Sequence, residues 1–116
     1  MRAKLGVAAA ATVALWSTAA SAVSMSMNWL EFGTLSSVDA CMAAGEDAFE
    51  QIGLRLLSRT ESAAWAESPR TEELYTVYCI QDRQIIVVVG AGDDLDIIDE
   101  MVTRILETMI GSDGPK

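Results

Sequence analysis

The chain has 116 residues, with eight basic side chains against seventeen acidic ones and no histidine, for a formal net charge of −9. This balance disfavours a nucleic-acid or anionic-membrane partner, because phosphate binding depends on Lys and Arg neutralising charge, and it favours cations and basic partners. Acidity of this kind also keeps an exported protein in solution, with no ligand involved.

Met1 to Ala22 has the layout of a secretory signal peptide: Arg2 and Lys4, an apolar run from Leu5 to Trp16, then the small residues Ala20-Ser21-Ala22 that signal peptidase requires. The apolar run is short of the roughly 20 residues that span a bilayer. Residues 1–22 are therefore expected to be cleaved, leaving 23–116 as a single small domain, periplasmic or secreted, with no membrane segment. Arg2 and Lys4 leave with the leader, so the processed chain sets six basic residues against seventeen acidic ones, a net charge of −11. At 94 residues the domain can bury about two thirds of its unfolded surface, enough for a small core.

The elements follow in order. Met27 to Thr34, with Trp29, Leu30 and Phe32, predicts a first strand. Ser36 or Ser37 is then placed to cap a helix, and Ser36-x-x-Asp39 resembles a capping box. Val38, Cys41, Gly45, Phe49 and Ile52 recur at three–four spacing on one helical face, and Gly53 supplies the stop. Leu54 to Arg59 predicts a second strand. Thr60 to Thr71, rich in Ser, Glu and Ala and containing Pro69, reads as a loop around an exposed Trp65. Leu74 to Ile80 alternates as a strand, Gln81 to Gln84 turns the chain, and Ile85 to Val89 is a β-branched strand. The unbroken apolar run of that last strand suggests cover on both faces, or one face turned to a partner. Leu95, Ile98, Val102, Ile105 and Met109 define a second amphipathic helix, ended by Gly111, with Ser112 to Lys116 as a tail. The order β-α-β-β-β-α, with one apolar face per helix, predicts a two-layer α+β domain whose sheet is covered by the two helices.

Cys41 and Cys79 are the only cysteines and both sit among apolar neighbours. In an oxidising compartment an even count points to a disulfide. A bridge closing a loop of this length is worth on the order of 3–4 kcal/mol by loop entropy. Two buried free thiols are the alternative. No histidine is present to activate either as a nucleophile.

The densest chemistry lies in Gly90-Ala-Gly-Asp-Asp-Leu-Asp-Ile-Ile-Asp-Glu100, where Asp93, Asp94, Asp96, Asp99 and Glu100 fall within eight residues. On a helical wheel Asp93, Asp96, Glu100 and Glu107 fall within about 60° of one another, roughly opposite the apolar stripe, with Asp99 at the edge of that apolar stripe and Asp94 pointing elsewhere. The first helix carries Asp39, Glu46 and Glu50 on its polar side, with Asp47 adjacent. If both helices pack on one sheet face, the two acidic stripes could meet. Carboxylates without imidazole or thiolate suit a hard cation, a lanthanide(III) ahead of calcium. The candidate ligands are Asp93, Asp96, Asp99, Glu100, Glu46 and Glu50. Calcium takes about six to eight oxygens, the spacing is not that of an EF-hand loop, and one helical face offers about three. Water, the other helix or a second copy would complete the shell, which makes a metal-bridged homodimer a secondary possibility. The competing explanation is that the helix dipole favours acids in the first turn, with Asp93 as N-cap. That explanation does not reach Glu100, in the second turn.

Other chemistries find little support. Gly90-x-Gly92 is a poor phosphate cradle beside Asp93 and Asp94 with no Lys or Arg nearby, and the glycines read instead as freedom to turn from strand into helix. There is no Gly-x-Ser-x-Gly elbow, general-base histidine or cofactor motif, so the chain does not read as an enzyme. Met25-x-Met27 is a minor candidate for copper(I). Trp29, Trp65, Tyr75 and Tyr78 could form an aromatic patch for a protein partner, although core packing explains most of them equally well.

Tyr75-Thr-Val-Tyr-Cys79, followed by Ile86-Val-Val-Val-Gly90 and an acidic helix start, resembles small proteobacterial periplasmic domains with one Cys in a helix and one in a strand. Joined to the carboxylate cluster, it is also similar to the landiscernin-type periplasmic lanthanide-binding proteins of methylotrophic bacteria. That resemblance implies lanthanide binding or trafficking with carboxylate ligands. The two readings carried forward are therefore a periplasmic hard-cation-binding domain and a metal-free periplasmic interaction or adaptor module.

Overall fold

The computed structural model describes residues 23–111. The signal-peptide reading of 1–22 and the tail from Ser112 lie outside the described residues. The domain is α+β, a five-stranded antiparallel sheet with two helices. The strands are β1 (Ser24–Glu31), β2 (Arg55–Arg59), β3 (Ala63–Glu67), β4 (Leu74–Ile80) and β5 (Ile85–Gly92). The helices are α1 (Val38–Ile52) and α2 (Leu95–Ile110). Strand order is β1-β5-β4-β3-β2. Thus β2 to β5 form a meander and β1 returns to pair with β5. Crossing from β1 to β2 takes the chain from one sheet edge to the other, and α1 makes that crossing.

Local chemistry explains most of the boundaries. The first strand starts and stops three residues earlier than the sequence suggested. Gly33 at φ +61° and Ser36 at φ 28° cannot continue a strand, and Gly33–Leu35 forms a 3-10 turn that leaves Phe32 buried. Ser37 is the N-cap of α1, its Oγ accepting from the Ala40 backbone N–H at 3.1 Å, so the capping box from Ser36 to Asp39 does not form. Gly53 at φ 93° closes the helix in the left-handed region that favours glycine. At the other helix the cap is Asp94 rather than Asp93. Its side chain accepts from the backbone N–H of Asp96 at 3.0 Å and of Ile97 at 3.4 Å.

The largest difference from expectation is β3, which occupies the middle of the segment read as a loop. Its sequence, Ala-Ala-Trp-Ala-Glu, has weak β propensity. Tertiary packing overrides that weakness: Ala64 and Ala66 face the helices and are fully buried, and small side chains there let a helix approach closely. Gly45 of α1 marks the same closeness, since a Cβ on it would lie 3.2 Å from a methyl of Val77. Trp65, expected in the open, is half-buried in β3.

Both helices pack on one face of the sheet and against each other, α1 over β2, β3 and β4, and α2 over β1 and β5. The core between the layers includes Phe49, Tyr75, Val77, Ile86, Ile98 and Leu106. Cys41 of α1 and Cys79 of β4 form a disulfide, with Cα atoms 6.0 Å apart and both residues buried. It ties helix layer to sheet layer at the centre of the molecule.

Gly90 and Gly92 also do something other than expected. Neither lies at the turn into α2 or has positive φ; both belong to β5. A Cβ on Gly90 would sit 2.6 Å from Ile98 Cγ2 and 2.8 Å from Tyr75 Cε1, and one on Gly92 would sit 2.8 Å from Glu73 Cγ. The glycines are there because the covered face has no room for a side chain.

Candidate functional site

The acidic stripes do not meet. Glu46 on α1 pairs with Arg59 of β2 at 2.5 Å, and Asp99 on α2 accepts a hydrogen bond from Ser26 of β1 at 2.7 Å. Because β1 and β2 are opposite edges of the sheet, each stripe faces outward over its own edge. Four strand spacings, about 19 Å, separate those edges. Glu46 and Glu50 line one depression with Asp47, Gly53 and Arg55, while Asp96, Asp99, Glu100 and Glu107 line another with Thr103 and Arg104. Asp93 precedes the N-cap and is not on the helix at all. Among the described residues, no three carboxylate or cysteine side chains come together in a way that could hold a metal ion.

Sequence reasoning missed one buried polar group. Glu73, just before β4, is buried, and its Oε1 accepts from the Tyr75 hydroxyl at 3.3 Å. Burial, then the Glu73 charge and this hydrogen bond, hold the Tyr75 hydroxyl protonated well above the usual tyrosine range. Gly92 opposite leaves the space that Glu73 fills.

The other face of the sheet has a different character. Side chains alternate along each strand, and the registers place Met25, Met27 and Trp29 of β1 beside Ala91, Val89 and Val87 of β5. These adjoin Leu74, Thr76, Tyr78 and Ile80 of β4, and then Ala63, Trp65 and Glu67 of β3. No described helix covers this face. Met25 and Met27 are each 64% exposed and Trp29 52%, with Leu74, Tyr78 and Ile80 also exposed. Three of the four aromatics singled out from sequence, Trp29, Trp65 and Tyr78, share this face, whereas Tyr75 is in the core. On these strands the charged side chains of the face are at its corners: Glu31 at one, and the Arg55–Glu67 ion pair toward the diagonally opposite one.

Among the described residues no helix is long and apolar enough to cross a membrane. Comparison of the chain with protein families, with curated proteins and with solved structures found no match.

Proposed function

We propose that this chain is an exported interaction domain that presents the open face of its sheet to a protein partner. The observation that carries this reading is the contiguous apolar surface running from Met25, Met27 and Trp29 across Val87 and Val89 to Tyr78 and Ile80. Large apolar patches with a polar rim mark association sites on small domains. Export is supported by the leader-like residues 1–22 and by the Cys41–Cys79 disulfide, a bond at home in oxidising compartments. The test is site-specific photocrosslinking in cells that produce the chain. Crosslinks of defined mass from positions 27 and 78, and none from position 100 on α2, support the reading. Crosslinks from position 100 alone would move the contact to the acidic surface and sink it.

A hard-cation site is the second reading. It is favoured by the shared depression of Asp96, Asp99, Glu100 and Glu107 on α2 and by the resemblance to periplasmic lanthanide-binding chains. A lanthanide would be taken ahead of calcium, with water or a second copy completing the shell. Terbium(III) emission sensitised through the tryptophans tests it. Saturable emission at micromolar terbium that resists millimolar calcium and is lost in Asp96→Asn/Glu100→Gln supports a site. Emission abolished by calcium or salt means a solvated acidic surface.

A further inference from the structure

We infer that the open sheet face is closed by a second copy of this chain, in a two-fold, face-to-face sandwich. The inference rests on the interaction-domain reading and names its partner. Three features of the face lead to it.

The first is area. Five strands about 4.8 Å apart, each five to eight residues long at about 3.3 Å per residue, give a projected footprint of about 500 Å². Side-chain relief raises the accessible area toward the roughly 800 Å² per partner of a standard stable interface.

The second is charge. Two copies of a strongly acidic chain repel unless their carboxylates are held apart. Here the acidic clusters ride on α1 and α2, on the far side of the sheet: Asp39, Glu46, Asp47 and Glu50 on one helix, Asp96, Asp99, Glu100 and Glu107 on the other. Packing open face to open face puts two sheets between those clusters. Glu31 and the self-neutralised Arg55–Glu67 pair remain at the rim, in water. A basic partner would instead be drawn to the helices and would find nothing to pair with at the centre of this face.

The third is shape. Twisted sheets stack face to face about 10 Å apart with interdigitating side chains. A two-fold axis then lets one patch serve as its own complement. Met25 and Met27, long and unbranched, can adapt to an opposing surface, while Trp29, Trp65 and Tyr78 supply the large rigid area that anchors interfaces.

Sedimentation velocity of the purified, processed and disulfide-bonded chain, over a wide micromolar range, tests the inference. A species of twice the chain mass is expected. Met27→Asp and Tyr78→Asp should each raise its dissociation constant at least tenfold with circular dichroism unchanged, and Glu100→Gln on the far side should leave it unaltered. A dimer that ignores both open-face variants, or that dissociates when metal is chelated, would place the contact elsewhere and overturn the inference. A monomer throughout would overturn it too. The photocrosslinks then separate the two claims: crosslinks from positions 27 and 78 to a different protein keep the docking face and change its occupant, and their absence removes both.

Discussion

The two faces of β4 are built from similar material and meet opposite fates. Tyr75, Val77 and Cys79 are almost wholly buried beneath the helices, whereas Leu74, Tyr78 and Ile80, on alternate positions of the same strand, are 38–43% exposed, with Thr76 buried between them. Hydrophobicity alone does not separate the two sets. What separates them is the supply of covering elements. Two helices side by side, each about 10–12 Å across, span one face of a five-stranded sheet, and no described element remains for the other. The covered face is consequently packed tightly enough to exclude a methyl group at Gly90, while the open face keeps long, adaptable side chains.

This contrast can be broken most severely at the bridge that joins the layers. Cys41→Ala/Cys79→Ala should lower stability by about 3–4 kcal/mol, since the link closes a loop of 38 residues. In a domain whose total stability is about 5–15 kcal/mol, urea denaturation would show a large drop in midpoint.

Gly90→Ala comes next. Its Cβ would be driven into Ile98 and the Tyr75 ring, so overpacking should cost about 1–3 kcal/mol. A cost near zero would mean that the covered face is looser than its geometry.

Alkaline pH offers a third probe of the covered face. The Tyr75 hydroxyl titrates higher in the fold than in the unfolded chain, where tyrosine loses its proton near pH 10. Its contribution is therefore intact below about pH 10. Above that the unfolded state gives up its proton first, and stability falls by up to about 1.4 kcal/mol per pH unit. Tyr75→Phe should remove this slope and Tyr78→Phe, on the open face, should retain it, as read by chemical denaturation between pH 9 and 11.

The smallest effect is expected from the open face itself. Met27→Ser, at a residue 64% exposed, should change the stability of the dissociated chain by no more than about 0.5 kcal/mol. A larger loss would show that Met27 is part of the fold and weaken its assignment to an interface.

How much of this was legible before folding depended on how local each signal was. Both helices, β4, β5, the turn between them and the cysteine pair followed from periodicity and composition, since each is decided by residues a few positions apart or by the rarity of cysteine. The segment around Trp65 was not legible. Three alanines carry no strand pattern of their own, and two of them, Ala64 and Ala66, are required there by a helix that arrives from elsewhere in the chain. The role of Gly90 was hidden for the same reason, because the atoms that exclude a side chain belong to Tyr75 and Ile98. Choosing Asp94 over Asp93 as the cap needed the backbone geometry, since either carboxylate suits the helix dipole.

The candidate acidic site shows the same division. Sequence placed Asp96, Glu100 and Glu107 along one side of a helix, and Glu46 and Glu50 along one side of another, because a helical wheel is a local construction. Whether the two stripes face each other depends on where the helices lie on the sheet, and strand order sends them to opposite edges. The alternation of β4 and the unbroken apolar run of β5 likewise followed from the amino acids, but both of their faces are apolar, and only the packing of α1 and α2 decided which would be core. The other was left as surface because the described residues supply one layer of helices for a sheet with two sides.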